Sequence, residues 1–192
     1  MNERPTKIII LDRDGVINAD NADYIKRPEE WLPLPGALEA ICTLCQHGYS
    51  VYVATNQSGI GRGLFSLADY QAINDKMISV VKASGGKIAG VFYCPHTPDD
   101  SCGCRKPKPG LFTQIAAHAG QSIEGVIAIG DSRRDLEASA AAGCKPILIR
   151  TGNGRNTEAE ILKTPLHSAG SIPVFDDLAA AVSALLKNEP QR

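Results

Sequence analysis

The chain has 192 residues, 43% of them hydrophobic, and a formal net charge of −1. That length and composition suit one well-cored domain spanning residues 1–192 and exclude a chain too polar to fold. The near-zero charge supplies no field for nucleic acid or an anionic membrane, so any phosphate must be held by a local site. No apolar run approaches the length that spans a bilayer, and only four apolar residues in a row precede Asp12, too few for a secretory signal. The expected location is the cytoplasm and the expected state a monomer. In a reducing compartment the six cysteines read as metal ligands, reactive thiols or core residues before they read as disulfides.

In chain order, short apolar runs alternate with segments of helical period. Lys7–Leu11 is a continuous apolar run, as expected of a strand covered on both faces. Pro35–His47 reads as a helix closed by Gly48, and Ser50–Thr55 as a strand rich in β-branched residues. Ser66 and Asp69 form a capping-box signal for a long helix that ends near Gly85 and Gly86. Val91–Tyr93 is a third strand, and Pro109-Gly110 opens a helix through Ala119. Val126–Ile129 is a fourth strand, Arg134–Ala142 a helix stopped by Gly143, and Pro146–Ile149 a fifth strand. Thr151–Ser171 reads as a surface loop with one short helix. Asp177–Leu186 is a closing amphipathic helix capped by Asp176 or Asp177. This alternation implies an α/β fold, an open parallel sheet with helices on both faces, which binds ligands at the carboxyl ends of its strands.

Polar clusters follow the strands as that rule requires. Asp12 and Asp14 sit two apart just past the first strand, so they point the same way, and Gly15 permits the sharp turn that follows. A cation could neutralise such a pair, and a carboxylate can serve as a nucleophile. By itself the pair is an Asx-capped turn just as readily. Asp131 and Asp135 follow the fourth strand and enter a helix, where an acidic N-terminal turn is common. Thr55, Asn56, Gln57 and Ser58 end the second strand, and Arg105 and Lys106 precede a helix. Each cluster alone has an ordinary structural role. All of them at strand ends in one short chain do not.

Cys94, His96, Cys102 and Cys104 place four ligand side chains within eleven residues. Three thiolates and one imidazole are a full tetrahedral set for structural Zn²⁺. Asp99 and Asp100 between them suit a soft site less. Cys42 and Cys45, three apart on a helix, and Cys144 read as buried thiols; His47, His118 and His167 read as surface or satisfied structure.

The sequence LDRDG after the first strand, Thr55 ending the second, Lys106 before a helix and GDSRRD after a later strand resemble the haloacid dehalogenase superfamily of phosphotransferases, from about Lys7 to Ile149. The resemblance implies a Rossmann-like fold and Mg²⁺-dependent phosphoryl transfer. It makes Asp12 the nucleophile and Asp14 the general acid and base. Mg²⁺ would be held by Asp12, by the backbone carbonyl of Asp14 and by Asp131. Thr55 and Lys106 would hold the phosphoryl group, with Asp135 behind them. Between Asp14 and Thr55, and again after Thr55, there is room for no separate domain, so a capless, open site is expected.

A zinc loop within a capless chain of this kind is similar to two groups of the superfamily: the heptose-bisphosphate phosphatases of lipopolysaccharide precursor synthesis and the histidinol-phosphate phosphatases. The runs LDRDGVIN, ATNQSGIGRGLF and CGCRKPKPG side with the first. A small phosphorylated sugar is therefore the expected partner, contacted by Arg13, by the loop Asp20, Asn21, Ala22 and Asp23, by Asn56, Gln57 and Ser58 opposite, and by Arg105. Ser132 departs from the lysine many heptose phosphatases carry there, which leaves Arg133 and Arg134 as candidates to replace it. Two contrary readings are a non-catalytic zinc-stabilised binding module and a 3′-phosphatase of nucleic-acid ends. The neutral charge argues against the latter.

Overall fold

A computed structural model describes residues 7–166 and 171–188; His167 and part of the expected loop before Ser171 lie outside them. Its centre is a six-stranded sheet in the order β3-β2-β1-β4-β5-β6. The strands are β1 (Lys7–Leu11), β2 (Tyr49–Asn56), β3 (Ile88–Cys94), β4 (Ile127–Gly130), β5 (Lys145–Ile149) and β6 (Val174–Phe175), all paired in parallel. The chain winds outward from β1 in one direction and returns to lay β4 on the other side of it. That reversal opens a crevice at the carboxyl ends of β1 and β4.

The helices are α1 (Ala37–Gln46), α2 (Ser58–Gly61), α3 (Leu67–Ala83), α4 (Gly110–Ala119), α5 (Arg133–Ala141), α6 (Gly154–Lys163) and α7 (Leu178–Lys187). Successive strand residues point to opposite faces. Ile9 and Leu11 therefore pack with Ile41 and Leu44 of α1, Ile73 and Met77 of α3 and Leu178 and Val182 of α7. Ile8 and Ile10 pack with Leu111, Phe112 and Ile115 of α4 and Ala138 of α5. Both faces of β1 are thus dry from Ile8 onward, which is why Ile8–Leu11 is uniformly apolar rather than alternating. The expected α/β layering stands.

The main departures from the expected elements are short or polar ones. β6 has two residues behind Pro173, too few for a period to register. α2 contains two glycines in four residues and forms through tertiary support: the Gly61 N–H donates to the Pro95 carbonyl (2.9 Å). The helix expected within the loop after β5 is α6, ten residues long. Both cap assignments are met. Ser66 and Asp69 bond reciprocally, and Asp177 accepts from the Ala180 N–H (2.7 Å). Cys144 is buried as expected, but Cys42 and Cys45 are only half-buried, because their helix edge meets solvent beside Lys87. Among the described residues no separate domain follows Asp14 or Thr55, and the sheet's carboxyl edge stays open.

Candidate active site

Asp12 is the first residue past β1, and its N–H still donates to the Ile129 carbonyl of β4 (2.9 Å). That last rung brings it beside Asp131, which follows β4. Carboxylate oxygens of Asp12, Asp131 and Asp135 lie within 4.8 Å of one another. Lys106 meets them from the side of β2. Its Nζ is 2.9 Å from Asp12 Oδ1 and 2.5 Å from Asp135 Oδ1, and it donates to the Ala54 carbonyl (2.7 Å).

Burial works against the Lys106 charge, yet the two carboxylates outweigh it and hold the ammonium firmly protonated. Asp135 is the converse case. Burial opposes its charge, but Lys106 and the Ser132 N–H (3.0 Å) and hydroxyl (2.5 Å) keep it ionised, well below its usual range. Asp12 and Asp131 lack such compensation. Burial first, then the charge of Asp135, raises Asp12 to about 7 and Asp131 to about 8. Three carboxylates against one ammonium leave negative charge that the protein does not neutralise. Asp135 has both oxygens engaged, so Asp12 and Asp131 are the pair free to take a divalent cation. A hard ion with oxygen ligands fits them.

Asp14 differs again. Burial opposes its ionisation, but Arg13 grips it through Nε (3.1 Å) and Nη2 (3.0 Å), and Asn18 (2.9 Å) and Gln57 (2.8 Å) donate as well. It is held below the usual carboxylate range. Arg13 itself is buried against the Tyr70 ring. Its guanidinium is committed to Asp14, although it still borders the cavity.

These groups line a cavity of 470 Å³. Thr55 is buried at the end of β2, and its Oγ1 accepts from Gln57 Nε2 (2.9 Å). Asn56 clamps the Lys106 backbone, donating to its carbonyl and accepting from its N–H (both 3.1 Å). Ser58 Oγ meets the Tyr24 hydroxyl at 3.3 Å. Asp20, Asn21 and Ala22 form the opposite rim, whereas Asp23 is exposed outside the wall, with its N–H on Asn21 Oδ1 (2.9 Å). Arg105, Arg134 and Arg62 complete the mouth. Burial and then the charge of Arg134 pull Arg105 below its usual pKa, and Arg134 and Arg62 have no carboxylate partner among the described residues. Of the two arginines after Ser132, Arg133 is tied to Glu137 (2.7 Å) and Glu160 (3.3 Å), so Arg134 is the one that reaches the cavity.

The four soft ligands also converge. Cys94 Sγ is 3.2 Å from Cys104 Sγ, 3.6 Å from Cys102 Sγ and 3.5 Å from His96 Nδ1, which is 3.3 Å from Cys104 Sγ. A tetrahedral zinc with Zn–S of about 2.3 Å and Zn–N of about 2.0 Å sets edges of roughly 3.5–3.8 Å. The separations of 3.2–3.6 Å are close to these and slightly tighter, so a small expansion of the cluster admits the ion. Burial, then the Cys104 thiol, pushes Cys94 up to about 12. Thiols this crowded become thiolates together only around a cation. Asp100 is a turn cap accepting from the Thr97 N–H (2.6 Å) and hydroxyl (2.9 Å), not a ligand. The loop then leads directly into Arg105, whose Nη1 donates to the His96 carbonyl (3.2 Å), and Lys106.

The chain belongs to the HAD-like hydrolases, the haloacid dehalogenase superfamily. A HAD-hydrolase-like family model matches residues 103–181, and one for polynucleotide kinase 3 phosphatase matches residues 7–139. Among its relatives is the D-glycero-beta-D-manno-heptose-1,7-bisphosphate 7-phosphatase of Pseudomonas aeruginosa, 50% identical over 180 residues, covering 94% of this chain and 98% of that one. A crystal structure of D,D-heptose 1,7-bisphosphate phosphatase from Bordetella bronchiseptica, complexed with magnesium and phosphate, is 49% identical with a TM-score of 0.89, covering 95% of this chain and 99% of that one. The enzyme of the same description from Burkholderia thailandensis is 39% identical with a TM-score of 0.73, again covering 95% and 99%.

Several residues that shape the site receive no role from the sequence alone, although Asn18 closes the run LDRDGVIN. Asn18 is buried four positions after Asp14, donating to its Oδ1 while its own Oδ1 accepts from the buried Trp31 indole N–H (2.9 Å). Trp31 thereby fixes which way the Asn18 amide faces. Tyr24 and Asn153 border the cavity from loops with no motif, and Arg62 borders it from within the run ATNQSGIGRGLF, which by itself assigns it no role. Trp31→Phe keeps an aromatic ring and removes the donor. It should cost about 1 kcal/mol of stability and lower kcat on a phosphate monoester by about threefold to tenfold with KM nearly unchanged, since Asp14 loses orientation rather than substrate contact. Steady-state kinetics beside a urea titration would check this; an unaltered kcat would show that Asn18 does not orient Asp14.

Proposed function

We propose that this chain is a Mg²⁺-dependent phosphatase that removes the C7 phosphate of D-glycero-D-manno-heptose 1,7-bisphosphate through an aspartyl-phosphate on Asp12. The observation that carries the substrate is the polarity of the cavity. One end gathers Asp12, Asp14, Asp131 and Lys106, and the mouth gathers Arg105, Arg134 and Arg62, without carboxylate partners among the described residues. A substrate with a phosphate at each end matches both. Arg105 and Arg134 take the phosphate that stays, Asp20 and Asn21 meet sugar hydroxyls, and Asn56, Gln57 and Ser58 wall the other side. Histidinol phosphate would bring an ammonium to that arginine-lined mouth, so this reading is not favoured. For nucleic-acid ends, the net charge of −1 offers no phosphate-tracking surface.

In the reaction, an Asp12 carboxylate oxygen attacks phosphorus in line with the bond to the C7 oxygen, which breaks. Asp14 protonates the leaving oxygen. Because Asp14 is held ionised in the free protein, its proton arrives with the phosphate, whose second pKa is about 6. Asp14 then takes a proton from the water that attacks the aspartyl-phosphate, releasing inorganic phosphate and restoring Asp12. Thr55 and Lys106 hold the equatorial oxygens, where charge stabilisation matters most. Mg²⁺, held by Asp12, Asp131 and the Asp14 carbonyl, supplies further neutralisation of that charge. Asp135 keeps Lys106 in place. The protein is proposed to act as a monomer in the cytoplasm, whose reducing conditions suit a thiol-rich metal site.

Phosphate release with Mg²⁺ should be compared for heptose 1,7-bisphosphate, fructose 1,6-bisphosphate and histidinol phosphate. The heptose should lead histidinol phosphate, which has no second phosphate, in kcat/KM by about tenfold or more, the value of one charged hydrogen-bonded pair at that phosphate. Fructose 1,6-bisphosphate, which keeps both phosphates, should fall between them. Histidinol phosphate in first place would overturn the substrate while leaving the acid site intact.

Zn²⁺ is the proposed occupant of the Cys94, His96, Cys102 and Cys104 cluster, with a structural role. All four ligands belong to the protein, leaving no open position. Its function is to anchor Arg105 and Lys106, the residues immediately after Cys104. Cys102→Ala should lose the metal and, with Mg²⁺ in excess, lose about tenfold to hundredfold in turnover. Full activity of a metal-free Cys102→Ala protein, with zinc measured by atomic absorption, would contradict it.

A further inference from the structure

The segment after β5 has no motif, yet it bonds to both acid loops. Thr157 is buried on α6, and its Oγ1 donates to the Asp131 backbone carbonyl (2.8 Å). The Asn153 N–H donates to Asp131 Oδ2 (2.7 Å), which leaves Oδ1 as the free oxygen of that carboxylate. Thr151 Oγ1 donates to the Gly15 carbonyl, one residue past Asp14 (2.6 Å). Between these contacts Gly152 and Gly15 lie face to face against the Asp131 carboxylate. Both have positive φ (55° and 82°), and a Cβ on either would overlap Asp131 Oδ2.

We infer that residues 151–157 are the positioning element of the metal-binding acid pair, with Thr157 and Thr151 as its positioning residues; this rests on the assignment of Asp131 as a Mg²⁺ ligand. Asp12 and Asp131 leave the sheet on different strands, and past the last backbone rung at Asp12 nothing in the β1–β4 ladder fixes one loop against the other. The third loop does. One hydroxyl holds the DRDG turn, another holds the Asp131 backbone, and an amide N–H selects the Asp131 oxygen left to the cation. Mg²⁺ tolerates little departure from octahedral ligands at about 2.0–2.1 Å, so a displacement of a few tenths of an ångström is felt first in its affinity. Neither threonine lines the cavity, so both act through Asp131 and the DRDG turn.

The test is Mg²⁺ titration by calorimetry on the zinc-loaded full chain, without substrate, alongside urea unfolding. Thr157→Val and Thr151→Val should each weaken Mg²⁺ binding about tenfold, the worth of roughly one hydrogen bond, and Thr157→Ser should return it to within about twofold. Asp131→Asn should abolish it. Unchanged Mg²⁺ affinity in both valine variants, with only the urea midpoint lowered, makes the threonines structural and overturns the inference while Asp131 stands. Mg²⁺ affinity retained by Asp131→Asn instead overturns the ligand assignment and the inference with it. If Thr157→Val does not fold, Thr151→Val decides the matter, because Thr151 is only half-buried.

Discussion

The Lys106 ammonium is the interaction on which the site depends. It is buried, it sits 2.9 Å from Asp12 and 2.5 Å from Asp135, and it donates to the Ala54 carbonyl. An ammonium in that position is stable only if its partners stay charged and close, and removing one partner of such a buried pair is strongly destabilising. The surrounding fold supplies those partners from three directions. β1 delivers Asp12, β2 delivers the Ala54 carbonyl, and α5 delivers Asp135 through a capping arrangement with Ser132. The Lys106 backbone is fixed by the Asn56 amide on one side and by the cysteine loop two residues upstream on the other.

The same charge pattern sets the chemistry. Lys106 satisfies Asp135 and part of Asp12, which leaves Asp12 and Asp131 with unspent negative charge pointing into the crevice. Asp14, two residues from Asp12, is ionised by different neighbours altogether. Two carboxylates so close in sequence thus acquire separate environments, and a divalent cation beside Asp12 would favour its ionised form against the burial that now opposes it. The cavity mouth is the opposite pole, with arginines that meet no acid among the described residues. An acidic floor that wants a cation and a basic rim that wants an anion suit a small doubly phosphorylated molecule better than a polymer.

Much of this was legible in the sequence because it rests on strand ends. The run Lys7–Leu11 announced a doubly covered strand, and Asp12 and Asp131 each follow a strand by a single residue. Cys94, His96, Cys102 and Cys104 were legible because four soft ligands at such short spacing seldom serve anything but a metal. What stayed hidden acts through shape or through distant chain segments. Gly152 is one of the chain's eighteen glycines, and only the close approach of Gly15 and Asp131 gives it a role. Trp31 resembles any core tryptophan until its indole N–H is found on Asn18. Arg13 reads as a substrate contact, whereas its guanidinium, buried against Tyr70, grips Asp14 through two nitrogens. The segment after β5 reads only as a surface loop with one short helix, because its hydroxyls bond to backbone carbonyls more than a hundred residues away in one case and twenty-six in the other.

The central claim is that Asp12 carries the phosphoryl group during turnover. Reduction of the working enzyme with borohydride, followed by peptide mass spectrometry, tests it directly, because hydride converts an aspartyl-phosphate to homoserine and leaves a free carboxylate untouched. Homoserine is expected at position 12, dependent on substrate and Mg²⁺, and none at position 14. Homoserine at position 14, or full turnover by Asp12→Asn, would contradict the claim.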